Sequence, residues 1–225
     1  MEITLYHGSP KIIDHPQFGV GNPRNDYGLG FYCTENLELA KEWACSGTGG
    51  GFANEYAFDT SGLSILRLNK RPYHILNWLA ILLDNRTFDI KAPVTAQARL
   101  FILSRYLPDY KSADVIVGYR ADDSYFTFSR SFLENTISLA QLQRAMHLGR
   151  LGEQIVLKSK TAFGQIVFKR ALRADEAVYY PIRTARDRAA REAFFQLQKE
   201  PLDNNTFYIK DLIQQNWQND DPRLF

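Results

Sequence analysis

Two stretches near the start of the chain decide its reading: Leu5-Tyr6-His7-Gly8-Ser9 and Asp26-Tyr27-Gly28-Leu29-Gly30-Phe31-Tyr32-Cys33-Thr34. The first closes a β-prone run that begins at Ile3, after which Gly8, Ser9 and Pro10 turn the chain. The second ends a segment from 14 to 30 that holds Pro16, Gly19, Gly21, Pro23, Gly28 and Gly30, and so reads as loop. Asn36 then offers an N-cap to a short helix with Leu39, Ala40, Trp43 and Ala44 on one face. A histidine at a strand end and a tyrosine after G-x-G-F each have an ordinary structural reading on their own. It is their order that gives the pair weight.

Outward from these stretches the chain alternates short β-prone runs with helices. Asn54 to Phe58 and Leu63 to Leu68 read as strands around a turn at 59–62. His74 to Leu83 is apolar nearly all round, which suits a buried helix, and Ala96 to Leu107 is a second helix stopped by Pro108. Val115 to Gly118 reads as a buried strand. Ser138 with Gln141 makes a capping box, Gly149 sits where the helix should end, and strands follow at Gln154 to Leu157 and Gln165 to Phe168. Past 170 the character changes. Residues 169–191 hold seven Lys/Arg against three Asp/Glu, and 200–225 hold five Asp/Glu against two Lys/Arg. Thr184 with Asp187 is expected to cap a helix running to about Lys199, packed through Ala189, Ala193, Phe194 and Leu197. This divides the chain into a domain at 1–170 and a helical extension at 171–225, with a mobile tail from Asn216 to Phe225.

Composition narrows the function classes. With 225 residues, 45% hydrophobic and 23% charged, the chain can bury a full core and needs no metal or disulfide staple. A net charge of +2 gives no bulk electrostatic footprint for nucleic acid. Cys33 and Cys45 make neither a disulfide framework nor a zinc pattern, and His7, His15, His74 and His147 lack metal spacing, so no metal is expected. Neither G-x-G-x-x-G after a strand nor G-x-x-x-x-G-K-[ST] occurs, which removes the usual nucleotide cradles, and the glycines from 47 to 51 read as loop. No leader or membrane span is visible, so a cytoplasmic protein is expected.

His-Gly-[ST] on a first strand, followed by G-x-G-[FI]-Y-x-[ST] before a helix, resembles the ADP-ribosyltransferase superfamily, in the branch with a His-Tyr-Glu triad that includes diphtheria toxin and the poly(ADP-ribose) polymerases. A bacterial domain family of that superfamily is similar over a longer stretch. It shares residues 5–9 and 26–32, Ala40-Lys41-Glu42-Trp43-Ala44, Asn54-Glu55-Tyr56, Asn77-Trp78-Leu79-Ala80, Asp114 to Gly118 with Ala121-Asp122-Asp123, and Glu153 to Lys158. The resemblance runs from about 3 to 170. It implies an α+β fold with a split antiparallel β-sheet core and flanking helices, NAD as co-substrate, and a site in the cleft between the sheets.

Carried over residue by residue, the resemblance gives His7 to a ribose hydroxyl, the Gly8 backbone to the nicotinamide amide, and the Tyr32 ring to stacking on nicotinamide. Ser9, Tyr27, Gly28, Gly30 and Phe31 are counted with the NAD-binding residues. The third catalytic position falls on Gln154, where the polymerases have glutamate. Glutamine can hydrogen-bond a ribose hydroxyl but cannot act as a base, which favours single transfer over chain elongation. Its neighbour Glu153 is an alternative, and with Asp122 and Asp123 it is a candidate base for the acceptor. What is implied is a mono-ADP-ribosyltransferase acting on a protein or nucleic acid, of the kind found in toxin–antitoxin or anti-phage systems with an antitoxin partner. The alternatives are an NAD glycohydrolase toxin and a catalytically silent binding module on the same fold.

Overall fold

A computed structural model describes residues 1–47, 49–88, 92–120, 123–150, 152–201 and 206–225; the side chains of 123, 124 and 150 are not described. Among these residues seven strands form two sheets. In the first, β1 (Glu2–Ser9) and β7 (Ile166–Ala174) flank β3 (Gly51–Asp59), and both pairings are antiparallel. The second runs β2 (Phe31–Cys33), β6 (Glu153–Leu157), β5 (Val115–Tyr119) and β4 (Ile65–Arg67). A single antiparallel bridge, Tyr6 with Thr34, joins the two sheets edge to edge.

The α+β class holds, but the sheets are not wholly antiparallel. β4 and β5 pair in parallel, Ile65 opposite Val115. The chain between them forms α2 (Ile75–Asn85) and α3 (Pro93–Tyr106), a crossover long enough to return the strand in the same direction. β3 and β4, adjacent in sequence, therefore lie in different sheets.

Apolar side chains fill two layers. Leu5, Phe31, Tyr56, Phe58, Val117 and Ile155 pack between the sheets. On the other face of the second sheet, Ile116 and Val156 meet α2, whose residues from Ile75 to Leu83 are all buried. His74 caps α2 and, with Asn77, closes a capping box. Asn77 also donates to the Tyr106 carbonyl at 2.8 Å, and Trp78 Nε1 donates to the Tyr119 carbonyl at 3.1 Å. The motif at 77–80 thus anchors a core helix. α4 (Asp123–Leu133) and α5 (Leu139–Ala145), the latter with the expected Ser138–Gln141 capping box, complete this layer.

The C-terminal third departs most from expectation. The division at 170/171 falls inside β7, which stays paired with β3 as far as Ala174. α7 (Glu176–Gln198) starts well before Thr184, capped by Asp175, whose carboxylate accepts from Ala177 N. Pro181 is accommodated within it, and the Thr184 hydroxyl donates to the Pro181 carbonyl instead of capping anything. Its buried residues are Ala190, Phe194 and Leu197, while Ala189 and Ala193 are exposed. α8 (Ile209–Gln214) follows and packs on α3, while α1 (Leu37–Ala44) packs on β1. The tail is not loose, since Trp217 and Leu224 are each 1% exposed and share the core with α2.

Candidate functional site

The site begins where the sheets part. The Tyr6–Thr34 pair exchanges two backbone hydrogen bonds, at 2.8 and 2.9 Å. Continued pairing would set Gly8 opposite Tyr32. Instead the His7 ring occupies the gap, with Nδ1 2.7 Å from the Tyr32 carbonyl oxygen and the ring stacked on Phe31 at 4.3 Å. Strand alternation turns the Gly8 N–H and C=O to the same side as those of Tyr6, toward the split that β2 has left. With Nδ1 donating to the carbonyl, Nε2 is left as a hydrogen-bond acceptor. Burial holds the His7 pKa below the usual histidine value, so the ring is neutral at physiological pH.

A cleft of about 310 Å³ opens at this split, lined by His7, Gly8, Tyr32 and Gln154 together with Asn25, Asp26, Trp43, Arg86, Arg120 and Arg183. The four residues expected at its centre, drawn from β1, β2 and β6, are brought together. Tyr32 is fixed by its hydroxyl, which donates to the Gly28 carbonyl at 2.5 Å and accepts from Tyr27 N at 3.2 Å. Burial raises its pKa, which keeps the phenol protonated. Gln154 is 7% exposed, and its Oε1 is buried with no hydrogen-bond partner among the described residues. A buried acceptor left unpaired costs about 1–3 kcal/mol, so its persistence in a cleft wall points to a ligand donor. Strand alternation sends Glu153 to the opposite face, where Asn69 Nδ2 donates to its carboxylate. Glu153 is therefore not a cleft residue. Asp122 lies outside the described residues, and of Asp123 only the backbone, at the start of α4, is described.

Other expected residues support the site from behind. Tyr27 is fully buried and donates to the Tyr119 carbonyl at 2.5 Å, so it touches no ligand in the cleft. Ser9 is buried, with Oγ accepting from Lys11 N. Gly28 has φ +73°, and a Cβ there would meet Asn85 Oδ1 at 2.4 Å; one on Gly30 would meet Val156 Cγ1 at 2.7 Å. These glycines let the loop lie flat on β6 and α2, where Lys158 Nζ donates to the Tyr27 and Leu29 carbonyls. Burial lowers the Lys158 pKa to about 8. Gly30 and Phe31 do line a second, more apolar recess of about 280 Å³, which shares His7, Asn25 and Tyr32 with the cleft. Asn54, fully buried, ties the chain beyond β1 to the sheet: Nδ2 donates to the His7 and Lys11 carbonyls, and Oδ1 accepts from Ile13 N.

Sequence reasoning missed the charged wall. Asp26 and Arg86 form a sheltered ion pair at 2.8 Å, and the Arg120 guanidinium lies 4.2 Å above the Trp43 ring. Arg183, from α7, donates to the Cys45 carbonyl at 2.7 Å. Asp26 and Trp43 stood inside the quoted motifs, Trp43 as an assumed packing residue. The arginines come from separate elements and left no local pattern. Both cysteines are buried, burial raises their thiol pKa values, and neither lines the cleft. No group of three His, Cys, Asp or Glu able to hold a metal stands together among the described residues, and none of their helices is long and apolar enough to cross a membrane.

Residues 3–168 match the model of a family described as "Protein of unknown function (DUF3990)". The chain belongs to that family. The match ends within β7, so the family segment contains the second sheet, β1 from Ile3, β3 and the start of β7, with the whole set His7, Gly8, Tyr32 and Gln154, but not Arg183. No curated protein and no solved structure matches the chain.

Proposed function

We propose that the chain is a mono-ADP-ribosyltransferase that takes NAD in the cleft at the sheet split and passes ADP-ribose to a macromolecular acceptor. The observation that carries this is the convergence of His7, Gly8, Tyr32 and the unpartnered Gln154 Oε1 on one cleft. Each offers chemistry that suits the dinucleotide. Neutral His7 presents Nε2 to a ribose hydroxyl, the Gly8 edge presents an N–H and a C=O to a planar amide, and the tethered Tyr32 ring presents a stacking face.

NAD supplies an activated bond from ribose to a cationic nicotinamide nitrogen; cleavage sends the bonding electrons to the ring and leaves positive character on the ribosyl carbon. Gln154 Oε1 accepts from a hydroxyl of that ribose and turns its carbonyl dipole toward the developing charge. Without a carboxylate in this place position 154 supplies no base, which fits one transfer rather than elongation. The acceptor brings its own nucleophilic atom and loses a proton to solvent as the new bond forms. Catalysis therefore rests on positioning.

Incubating the protein in bacterial lysate with NAD labelled in the adenylate phosphate tests this. Label should enter a protease- or nuclease-sensitive product, and His7→Ala and Gln154→Ala should each abolish it. Free ADP-ribose as the sole labelled product would make the chain an NAD glycohydrolase. NAD left intact by folded protein would leave only a binding module.

A further inference from the structure

A second cavity, of about 280 Å³, lies between α1 and α7 and meets the cleft at Trp43, Arg120 and Arg183, which line both. Its own carboxylates are already engaged. Glu42 is held by Arg186, at 2.7 and 2.9 Å, and Asp187 by Arg191, at 2.9 Å. Arg183, by contrast, makes no ion pair with any described residue and has only the bond to the Cys45 carbonyl. Trp43 Nε1 is buried and has no hydrogen-bond partner among the described residues. The junction therefore offers the Arg183 guanidinium and the Trp43 N–H within the same cleft wall as Gln154.

We infer that this cavity is where the acceptor enters, and that the acceptor is a single-stranded nucleic acid whose phosphodiester seats against Arg183, Arg120 and the Trp43 N–H. The inference rests on the ADP-ribosyl transfer reading of the adjoining cleft. Arginine and an indole N–H match the acceptor-only oxygens of a phosphodiester. Trp43 and Tyr180, both on the cavity wall, add aromatic surface beside the arginines, the combination that holds unpaired bases without sequence preference. Outside the cavity, Arg173 and Arg188 are exposed on β7 and α7 and extend the track for a backbone. A duplex presents its bases stacked and paired, whereas a single strand can turn one toward Gln154. An acidic peptide would meet the same charges but leave the stacking faces unused.

Fluorescence anisotropy with a labelled single-stranded DNA or RNA of about 12 nucleotides tests the site directly. Wild type should bind, with affinity falling as salt rises. Arg183→Gln should weaken binding about fivefold or more and flatten the salt slope by about one unit. Trp43→Phe, which keeps the ring and removes the N–H, should weaken it less, and both variants should melt like wild type. Saturating NAD should leave the oligonucleotide bound, because the strand meets the shared residues from the second cavity while NAD fills the cleft. Absence of oligonucleotide binding, wild-type affinity in folded Arg183→Gln, or displacement by NAD would overturn the inference; displacement would give the junction to the dinucleotide's own diphosphate. Arg183-dependent binding by a protein that neither binds nor consumes NAD would keep this site and remove the transferase reading.

Discussion

Gln154 carries a testable conflict between stability and function. Its Oε1 is buried and unpartnered, so replacing it with an apolar side chain of similar volume relieves a cost. Gln154→Met is expected to raise stability by about 1 kcal/mol, read from urea denaturation, while lowering turnover of NAD by about a hundredfold or more. A destabilised variant would mean that Gln154 is structural. The histidines give a pH dependence. Burial holds His7 and His74 below the ordinary value of 6.5, so the unfolded chain takes up protons first as pH falls through 6.5. Stability is thus lost progressively from there down toward the folded values. Melting should be lower at about pH 5.5 than at about pH 7.5, and His7→Gln should reduce the difference. Equal melting temperatures at both values would contradict the burial of neutral rings. At this scale the sequence was legible where a residue type stands in an ordered pattern, as with His7, Tyr32 and Gln154. It was silent where the role depends on a neighbour from elsewhere, as with Asp26 and Arg86 or Trp43 and Arg120.

Elements hold the cleft open through close contacts. α1 crosses β1 at Gly8, where a Cβ would lie 2.1 Å from the Ala40 carbonyl oxygen and 2.8 Å from Trp43 Cβ. The glycine is thus required by helix packing, besides leaving its N–H and C=O on the split. Gly8→Ala should push α1 away and cost about 1–3 kcal/mol by thermal or denaturant unfolding; an unchanged midpoint would show that α1 is free to shift. Lys158 clamps the loop that carries Asp26 and receives the Tyr32 hydroxyl. Lys158→Met should speed proteolysis of the 21–30 segment and weaken NAD binding, and normal protection there would show that the glycines hold the loop alone. Helix caps at Asn36 and Ser138 have chemistry that acts over three residues, which is why those helix starts were readable, whereas α2 was read from its apolar run and not from its His74 cap. The start of α7 was not, because Asp175 lies upstream of a proline that the helix tolerates.

Across the whole molecule, the C-terminal segment is part of the core and of the site at once. Trp217 and Leu224 bury against α2 and α3, and Glu42 with Arg186 ties α7 to α1. A 1–170 fragment should therefore lack a cooperative melt, since it loses half of β7 and uncovers the α2 layer; a cooperative transition near that of the full chain would restore the division at 171. Trp217→Ala in the full chain should cost about 3–5 kcal/mol. No periodic pattern in the sequence marks this packing, because Trp217 and Leu224 belong to irregular segments whose burial depends on a helix distant in sequence. Most strands, by contrast, were readable from their β-prone runs, but β2 and the division into two sheets depend on pairings distant in sequence. The central claim is that the sheet split binds NAD and breaks it there. Calorimetric titration with NAD, followed by chromatographic assay of nicotinamide from the same sample, tests it most directly. The expected result is saturable binding with slow nicotinamide release in wild type, lost in His7→Ala, and binding without release in Gln154→Met. Folded wild-type protein that neither binds NAD nor releases nicotinamide would contradict the account.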